Sequence, residues 1–421
     1  MSRRAVLWVA FVIVHIGVAA LGFLLPNEPM GDVYRVYEPW SRAWLAGVDI
    51  EPVLNAQFPA SSALVGITES WVYPQLAIVP MLLAWMFSWI AGYEVAWAIL
   101  VTLCDALAFA LLVGRGRSTG RWLAAWFWLA FIAVLGPVGM YRLDGITVPL
   151  AIAGSLWLVG RPWIGSALLA IATWIKVWPA ALIVAAIAAM RRRLAVLGAA
   201  VAVSAAVVVW VLAMGGAQHL FGFILDQTDR GLQLEAPVST VYLWQAVARI
   251  PGSMIYYDRD LLTFQVTGPG VDGVIAVMTP LLVAAVAAVA AIGVYKAWRG
   301  ASFAALYPHL ALGLVLAFIV FNKVGSPQYM TWIAAPIVVG LVIDRRRWWK
   351  PAALAVVIAG FTLGVYPLAY YALLLAWPFP ASLLTIRNIL VVVLFVWTVV
   401  RLVRVRIHPH VRAARRSEAL A

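Results

Sequence analysis

Long apolar stretches, each closed by charges, Gly or Pro, recur from Ala5 to Val403 and leave no polar segment large enough for a separate soluble domain. Water cannot be the main solvent of such a chain; a bilayer suits it. Its 65% hydrophobic and 11% charged residues lie far from the roughly 45–50% apolar and about 25% charged usage of soluble domains. We therefore expect one all-α polytopic membrane domain over residues 1–421. Cys104 is the single cysteine, which excludes an intramolecular disulfide and a cysteine-based metal cluster.

The formal net charge of +13 does not point to nucleic acid, because the basic residues sit in short clusters at the ends of apolar runs. That is how a topology signal is written. The clusters are Arg3-Arg4, Arg115/Arg117/Arg121, Arg161, Arg191-Arg192-Arg193, Lys296/Arg299, Arg345-Arg346-Arg347/Lys350 and the tail from Arg401 to Arg416. All fit the cytoplasmic side if about twelve helices cross, at about 5–25, 95–113, 122–139, 145–160, 163–178, 179–191, 195–214, 272–294, 302–321, 329–344, 351–371 and 382–403. The first run lacks a clear small-residue cleavage site and reads as a retained helix rather than a signal peptide. The apolar segment 74–90 is expected to lie in, or dip into, the outer leaflet. Lys176 and Pro179 break the run 164–190 into a hairpin, which keeps Arg161 and Arg191 on one side.

This threading puts both termini in the cytoplasm of a multi-pass plasma-membrane protein, with a tail at 404–421 and two long outer loops, about 26–94 and 215–271. Of the seventeen acidic residues, only Asp344 and Glu418 fall on the cytoplasmic side and Asp105 within a span. Acidic residues contribute little to topology, so their gathering outside marks a working surface.

The first outer loop opens Gly31-Asp32-Val33-Tyr34-Arg35-Val36-Tyr37-Glu38-Pro39-Trp40 and later reads Trp71-Val72-Tyr73-Pro74-Gln75. Further along come Arg142-Leu143-Asp144-Gly145, Lys176-Val177-Trp178-Pro179, Arg230 to Pro237, Ser326-Pro327-Gln328-Tyr329 and Ile386-Arg387-Asn388. In this order, and all on the outer side, these motifs make the chain resemble the GT-C superfamily of membrane glycosyltransferases. Within it, the likeness over residues 5–405 is to glycosyltransferase family 87, the actinobacterial polyprenol-phosphate-mannose-dependent mannosyltransferases. The resemblance implies a GT-C-type bundle with outer juxtamembrane helices, and a catalytic base at Asp32. It also implies an acceptor or donor-phosphate wall at Asp226, Asp229, Arg230, Gln233 and Glu235. Some mannosyltransferases of the family carry histidine after the ninth helix, where this chain has Gln328-Tyr329; that departure bears on the acceptor and the sugar.

The chemistry so implied suits an outer surface. A sugar donor there must come on a carrier that crosses the bilayer, such as a polyprenyl phosphate, and its phosphodiester leaves as a stable anion. One carboxylate to take the acceptor proton then suffices for direct inversion at the anomeric carbon. Asp32 equally fits the N-cap of a helix starting near Tyr34. Glu38 is the alternative base, and Asp49 and Glu51 read as loop charges. Phosphate calls for cations, and the candidates are Arg35, Arg142, Lys176, Arg230, Lys323 and Arg387. Lys323 and Arg387 also suit helix ends anchored by snorkelling, and Arg142 a structural pair with Asp144. Tyr34, Tyr37, Tyr73 and Tyr329 are placed to stack on sugar or lipid, although Tyr and Trp favour membrane interfaces in any case. No histidine cluster suggests a fixed metal, no glycine fingerprint suggests a nucleotide site, and no cofactor is expected.

The expected partners are thus a polyprenyl-phosphate sugar, a glycolipid or lipoglycan acceptor and membrane lipid, with no nucleic acid. The alternatives are a GT-C enzyme using another carrier-linked sugar, such as arabinofuranose, and a transporter or flippase of lipid-linked sugars. A transporter usually places coupling residues at the midplane of repeated halves; Asp105 is the only clearly intramembrane acid, and no repeat relates the halves.

Overall fold

The computed structural model describes residues 2–46, 64–225, 230–259 and 261–407. Asp49, Glu51, Asp226, Asp229, His408, His410 and Glu418 lie outside the described residues. The chain begins with α1 (Arg3–Leu24), a short π-helical turn (Val33–Tyr37) and α2 (Glu38–Ala46). A broken apolar stretch over 75–91 contains α3 (Ile78–Ala84) and α4 (Ser88–Ala91). Next come α5 (Tyr93–Val113), α6 (Thr119–Leu135), α7 (Asp144–Trp157), α8 (Pro162–Ile175), α9 (Ala180–Ala189) and α10 (Arg193–Ala213). The second long loop holds α11 (Gly222–Leu225), β1 (Leu232–Gln233), α12 (Thr240–Val247), β2 (Met254–Asp258) and β3 (Thr263–Thr267). Closing the fold are α13 (Val271–Trp298), α14 (Phe303–Val320), α15 (Ala334–Leu363), α16 (Tyr370–Leu374) and α17 (Pro378–Val403).

Among the described residues, eight helical stretches are long and apolar enough to cross a membrane, while Pro162–Ile175 and Ala180–Ala189 are shorter. Three of the helices start where the basic clusters lie, and serine caps each of them: Ser2 for α1, Ser118 for α6 and Ser302 for α14. Their hydroxyls satisfy amide donors that the helix leaves open.

Two reversals set the direction of the short helices. Ser166 Oγ donates to the Val196 carbonyl, and Trp174 Nε1 to Ser204 Oγ, so α8 and α10 run side by side in the same direction. The chain therefore turns back at Lys176–Pro179 and returns through α9, as the charges at Arg161 and Arg191 suggest. In α15, Asp344 leaves helical geometry (φ −146°, ψ 82°). A Cβ on Gly120, at the start of α6, would sit 2.8 Å from the Val342 carbonyl oxygen, whereas Leu363 lies against Gly136 at the far end of α6. Trp348 packs back on Gly340, across the break at Asp344, so the two legs of α15 run in opposite directions, with Arg345–Arg347 at the bend.

One continuous apolar core joins α1, α5, α6, α7, α14 and α15. The second outer loop departs from a plain coil. It carries a three-stranded antiparallel sheet in the order β1-β3-β2, with Gln233 opposite Gln265 and Tyr257 opposite Phe264. A smaller apolar cluster, built from Leu232, Leu234, Leu243, Val266 and Leu384, seats this sheet and α12 on α17.

Candidate active site

A cavity of about 1200 Å³ opens at the end of the bundle where α7 starts and α8 stops. It exceeds the roughly 300–1,000 Å³ of a site for one drug-sized ligand. The loop after α1, the segment 65–74, the sheet, the turn 322–329 and the segment 366–374 enclose it. On one flank Met278 and Leu282 of α13, with Phe318 and Phe321 at the end of α14, give it an apolar lining.

Asp32 enters this cavity from a tight turn. The Gly31 amide bonds to the Glu28 carbonyl at 2.9 Å and the Val33 amide to the Met30 carbonyl at 2.8 Å. Asp32 precedes a helical turn, yet its side chain makes no capping hydrogen bond, so the helix-cap reading fails on geometry. Its Oδ1 instead pairs with Arg142 Nη1 at 3.0 Å, and the carboxylate is 35% exposed. Arg142 is buried and also donates to the Tyr366 hydroxyl at 3.2 Å. The expected Arg142–Asp144 pair is not made: Arg142 is taken by Asp32, and Asp144 by a different cation.

That cation is Lys176. Its Nζ lies 2.5 Å from Asp144 Oδ2, while Trp332 Nε1 donates to Oδ1 at 2.6 Å. Asp144 is wholly buried in the first turn of α7, where the helix dipole favours a negative charge. Lys176 follows the last turn of α8, at the break that reverses the chain, and its ammonium lies over the rings of Tyr73 and Tyr329, 5.9 and 5.7 Å from their centroids. Tyr329 stacks on Trp332 at 4.0 Å, and Trp332 on Trp178 at 5.9 Å. Burial, then the Asp32 carboxylate, raises the Tyr73 hydroxyl above its ordinary pKa, so Tyr73 meets the cavity as a neutral phenol.

A second polar group faces these residues. The Gln233 side chain accepts from the Gly325 amide and exchanges hydrogen bonds with Ser326 Oγ, while the Gln233 main-chain N–H donates to the Lys323 carbonyl. These contacts bind β1 to the turn that carries Lys323, Gln328 and Tyr329, all three of which line the cavity. Arg230 lines it too, with a buried Nε that has no hydrogen-bond partner. Glu235 is 1% exposed; one carboxyl oxygen accepts from the Tyr370 hydroxyl at 2.7 Å and the other has no partner. Burial raises its pKa, against hydrogen bonding from Tyr370 and the nearby charge of Arg387.

Four expected site residues lie off the cavity wall: Asp144, buried behind Lys176, and three more. Tyr37 is buried behind the wall, its hydroxyl accepting from the Leu143 amide. Glu38 points to its own helix face and pairs with Arg42 at 2.5 Å. Arg387 is buried in α17 and donates to the Glu235 main-chain carbonyl at 2.8 Å, which makes it a support for that loop. Arg35 does line the cavity, paired with Glu28 at 2.5 Å on the exposed rim. Among the described residues, no three His, Cys, Asp or Glu side chains converge as a metal site.

Several participants carried no motif. Tyr366 and Tyr370 read as interface aromatics, and Trp332 as part of the belt, yet each makes a polar or stacking contact at the site. The strands were readable in principle, since Ile255-Tyr256-Tyr257 and Phe264-Gln265-Val266 are short runs of strand-favouring residues flanking a turn.

Comparison with known proteins agrees with this picture at the level of the family. No curated protein sequence matches the chain. Residues 71–321 match the family model for glycosyltransferase family 87. That stretch contains Tyr73, Arg142, Asp144, Lys176, Arg230, Gln233 and Glu235, whereas Asp32 precedes it and Lys323, Gln328 and Tyr329 follow it. It covers more than half of the chain, which therefore belongs to glycosyltransferase family 87 and is a membrane glycosyltransferase.

Proposed function

We propose that this enzyme transfers a hexose, mannose in the first instance, from a polyprenyl-phosphate donor to a glycolipid or lipoglycan, on the outer face of the plasma membrane. Twelve crossings with both termini cytoplasmic put every basic cluster inside and the cavity outside. The observation that carries the reading is Asp32. It is a carboxylate with no capping duty, held on one oxygen by a buried arginine and set in the wall of a cavity lined elsewhere by Lys176, Arg230 and Lys323.

In the reaction, Asp32 Oδ2 takes the proton of the acceptor hydroxyl as the acceptor oxygen forms its bond to the anomeric carbon. The bond from that carbon to the phosphate oxygen breaks on the opposite side, so the configuration inverts. The electron pair leaves with the phosphate, whose charge the cationic side chains stabilise. Arg142 keeps the base oriented, and Tyr366 keeps Arg142 in place. The apolar flank at Met278, Leu282, Phe318 and Phe321 suits the prenyl chain.

The test is transfer of radiolabel from polyprenyl-phosphate-mannose to a membrane lipid extract by purified protein and its Asp32→Asn variant. We expect the variant to fold and to lose about 10²- to 10⁴-fold in rate, the usual contribution of a positioned base. Full activity in the variant would remove Asp32 from the chemistry. Transfer only from polyprenyl-phosphate-arabinofuranose would keep the mechanism and change the sugar.

A further inference from the structure

Four aromatic rings form one wall of the cavity and connect its outer rim to the proposed base. Tyr257 and Phe264 face each other across the β2–β3 hairpin with centroids 5.0 Å apart. Phe264 meets Tyr370 at 5.9 Å, and Tyr370 meets Tyr366 at 5.0 Å. The Tyr366 hydroxyl then accepts from Arg142, which holds Asp32. All four rings line the cavity, and Tyr257, at the outer end, is 41% exposed. Arg35 and Asp32 of the loop after α1 line the same cavity as Tyr257 and Phe264 of the hairpin.

We infer that this wall is an oligosaccharide-binding subsite that takes several sugar units of the acceptor and delivers the terminal one to Asp32. The inference rests on the proposed transferase reading for its direction. A pyranose ring has one face of C–H bonds carrying partial positive charge, which the negative face of an aromatic ring attracts while its hydroxyls stay hydrated or bonded to polar neighbours. The wall offers that mixture. Its two inner rings keep polar partners, Tyr370 with Glu235 and Tyr366 with Arg142, and its outer end is exposed and carried by strands. A lipid tail would find a better surface on the opposite flank, where Met278, Leu282, Phe318 and Phe321 belong to the membrane helices. The wall runs from Tyr257 at the rim to Tyr366 beside Arg142, so a chain of sugars following it meets more than one ring. A single hexose reaching Asp32 would touch only the inner end.

Binding can be measured without any donor, using protein purified in a detergent with a non-sugar headgroup. Calorimetry with methyl α-mannoside and with linear mannotriose, neither carrying a lipid, isolates the sugar contribution. We expect mannotriose to bind about tenfold more tightly than the monosaccharide. Tyr257→Ala and Phe264→Ala should each remove most of that advantage while leaving monosaccharide affinity unchanged. Thermal unfolding of Tyr257→Ala should match the parent, Phe264→Ala should melt somewhat lower because its ring packs on the apolar cluster under the sheet, and Tyr257→Phe, which keeps the ring, should bind as the parent does. Equal affinity for one and three units, no binding by the parent, or an unaffected Tyr257→Ala variant would each overturn the subsite. Length-dependent binding without transfer from polyprenyl-phosphate-mannose would leave the subsite standing and reject the donor assignment alone.

Discussion

Glu235 puts an acidic side chain on the cavity wall, where burial favours the neutral carboxyl. Its surroundings favour that form: one oxygen has a single neutral partner, the other has none, and Arg387 spends its hydrogen bond on the main-chain carbonyl. A carboxyl with a raised folded pKa adds stability that is complete below the unfolded pKa and is lost as pH rises through that value toward the folded one. Glu235→Gln is neutral throughout. Its melting temperature should therefore gain on the parent's by a few degrees as pH rises above the ordinary carboxylate range, and it should keep transferase activity where Glu235→Ala loses it. The buried pair of Lys176 and Asp144 behaves differently. Lys176→Met leaves the buried Asp144 with only the Trp332 bond, at a cost of about 3–5 kcal/mol, and adding Asp144→Asn should recover part of that loss. Unfolding in detergent measures both changes.

Between elements, the contact that gathers the site is the one joining β1 to the turn 322–329. Gly325 packs directly on the main chain of Glu235 and Ala236, so closely that any Cβ would collide with backbone. Gly325→Ala should push the segments apart, break the bonds from Gln233 to Gly325 and Ser326, and cost about 1–3 kcal/mol together with most of the activity. Gly273 in α13 has open space around it, so Gly273→Ala should be neutral or slightly stabilising in the same assays. The helices themselves were legible in the sequence, because apolar length and basic ends fix where each starts and stops. The reversals at Lys176–Pro179 and Asp344 were legible for the same reason: each keeps neighbouring cationic clusters on one side. The site was legible as a set of residue types and much less as a set of partners. Arg142 has an acid two positions away in sequence and pairs with one 110 positions away, a choice made by the meeting of separate loops. Glu38 and Arg387 were misassigned to the cavity because their motifs carry no information on which helix face turns inward.

For the whole molecule, the two ends of the bundle carry opposite chemistry, with basic clusters at one and the cavity with its acids at the other. Cysteine labelling turns this into a topology test. With Cys104 replaced by Ala, a membrane-impermeant maleimide should label Ile250→Cys in intact cells and reach Arg346→Cys only after permeabilisation, both positions being exposed. Labelling in the reverse order would put the cavity in the cytoplasm. The loop bearing Asp32 is fastened to the far part of the chain, since Asn27 Nδ2 donates to the Pro367 carbonyl across 340 positions and Tyr366 reaches the neighbouring carbonyls. A ribosome thus makes Asp32 among the first residues and the fastening of its loop near the last. A nascent chain threaded into the membrane as far as α14 already has Asp32 with Arg142 and Asp144 with Lys176, but still lacks Trp332, the second partner of Asp144, Tyr366, the second partner of Arg142, and Tyr370, the partner of Glu235. The cavity is complete only when the segments 322–329 and 366–374 are in place.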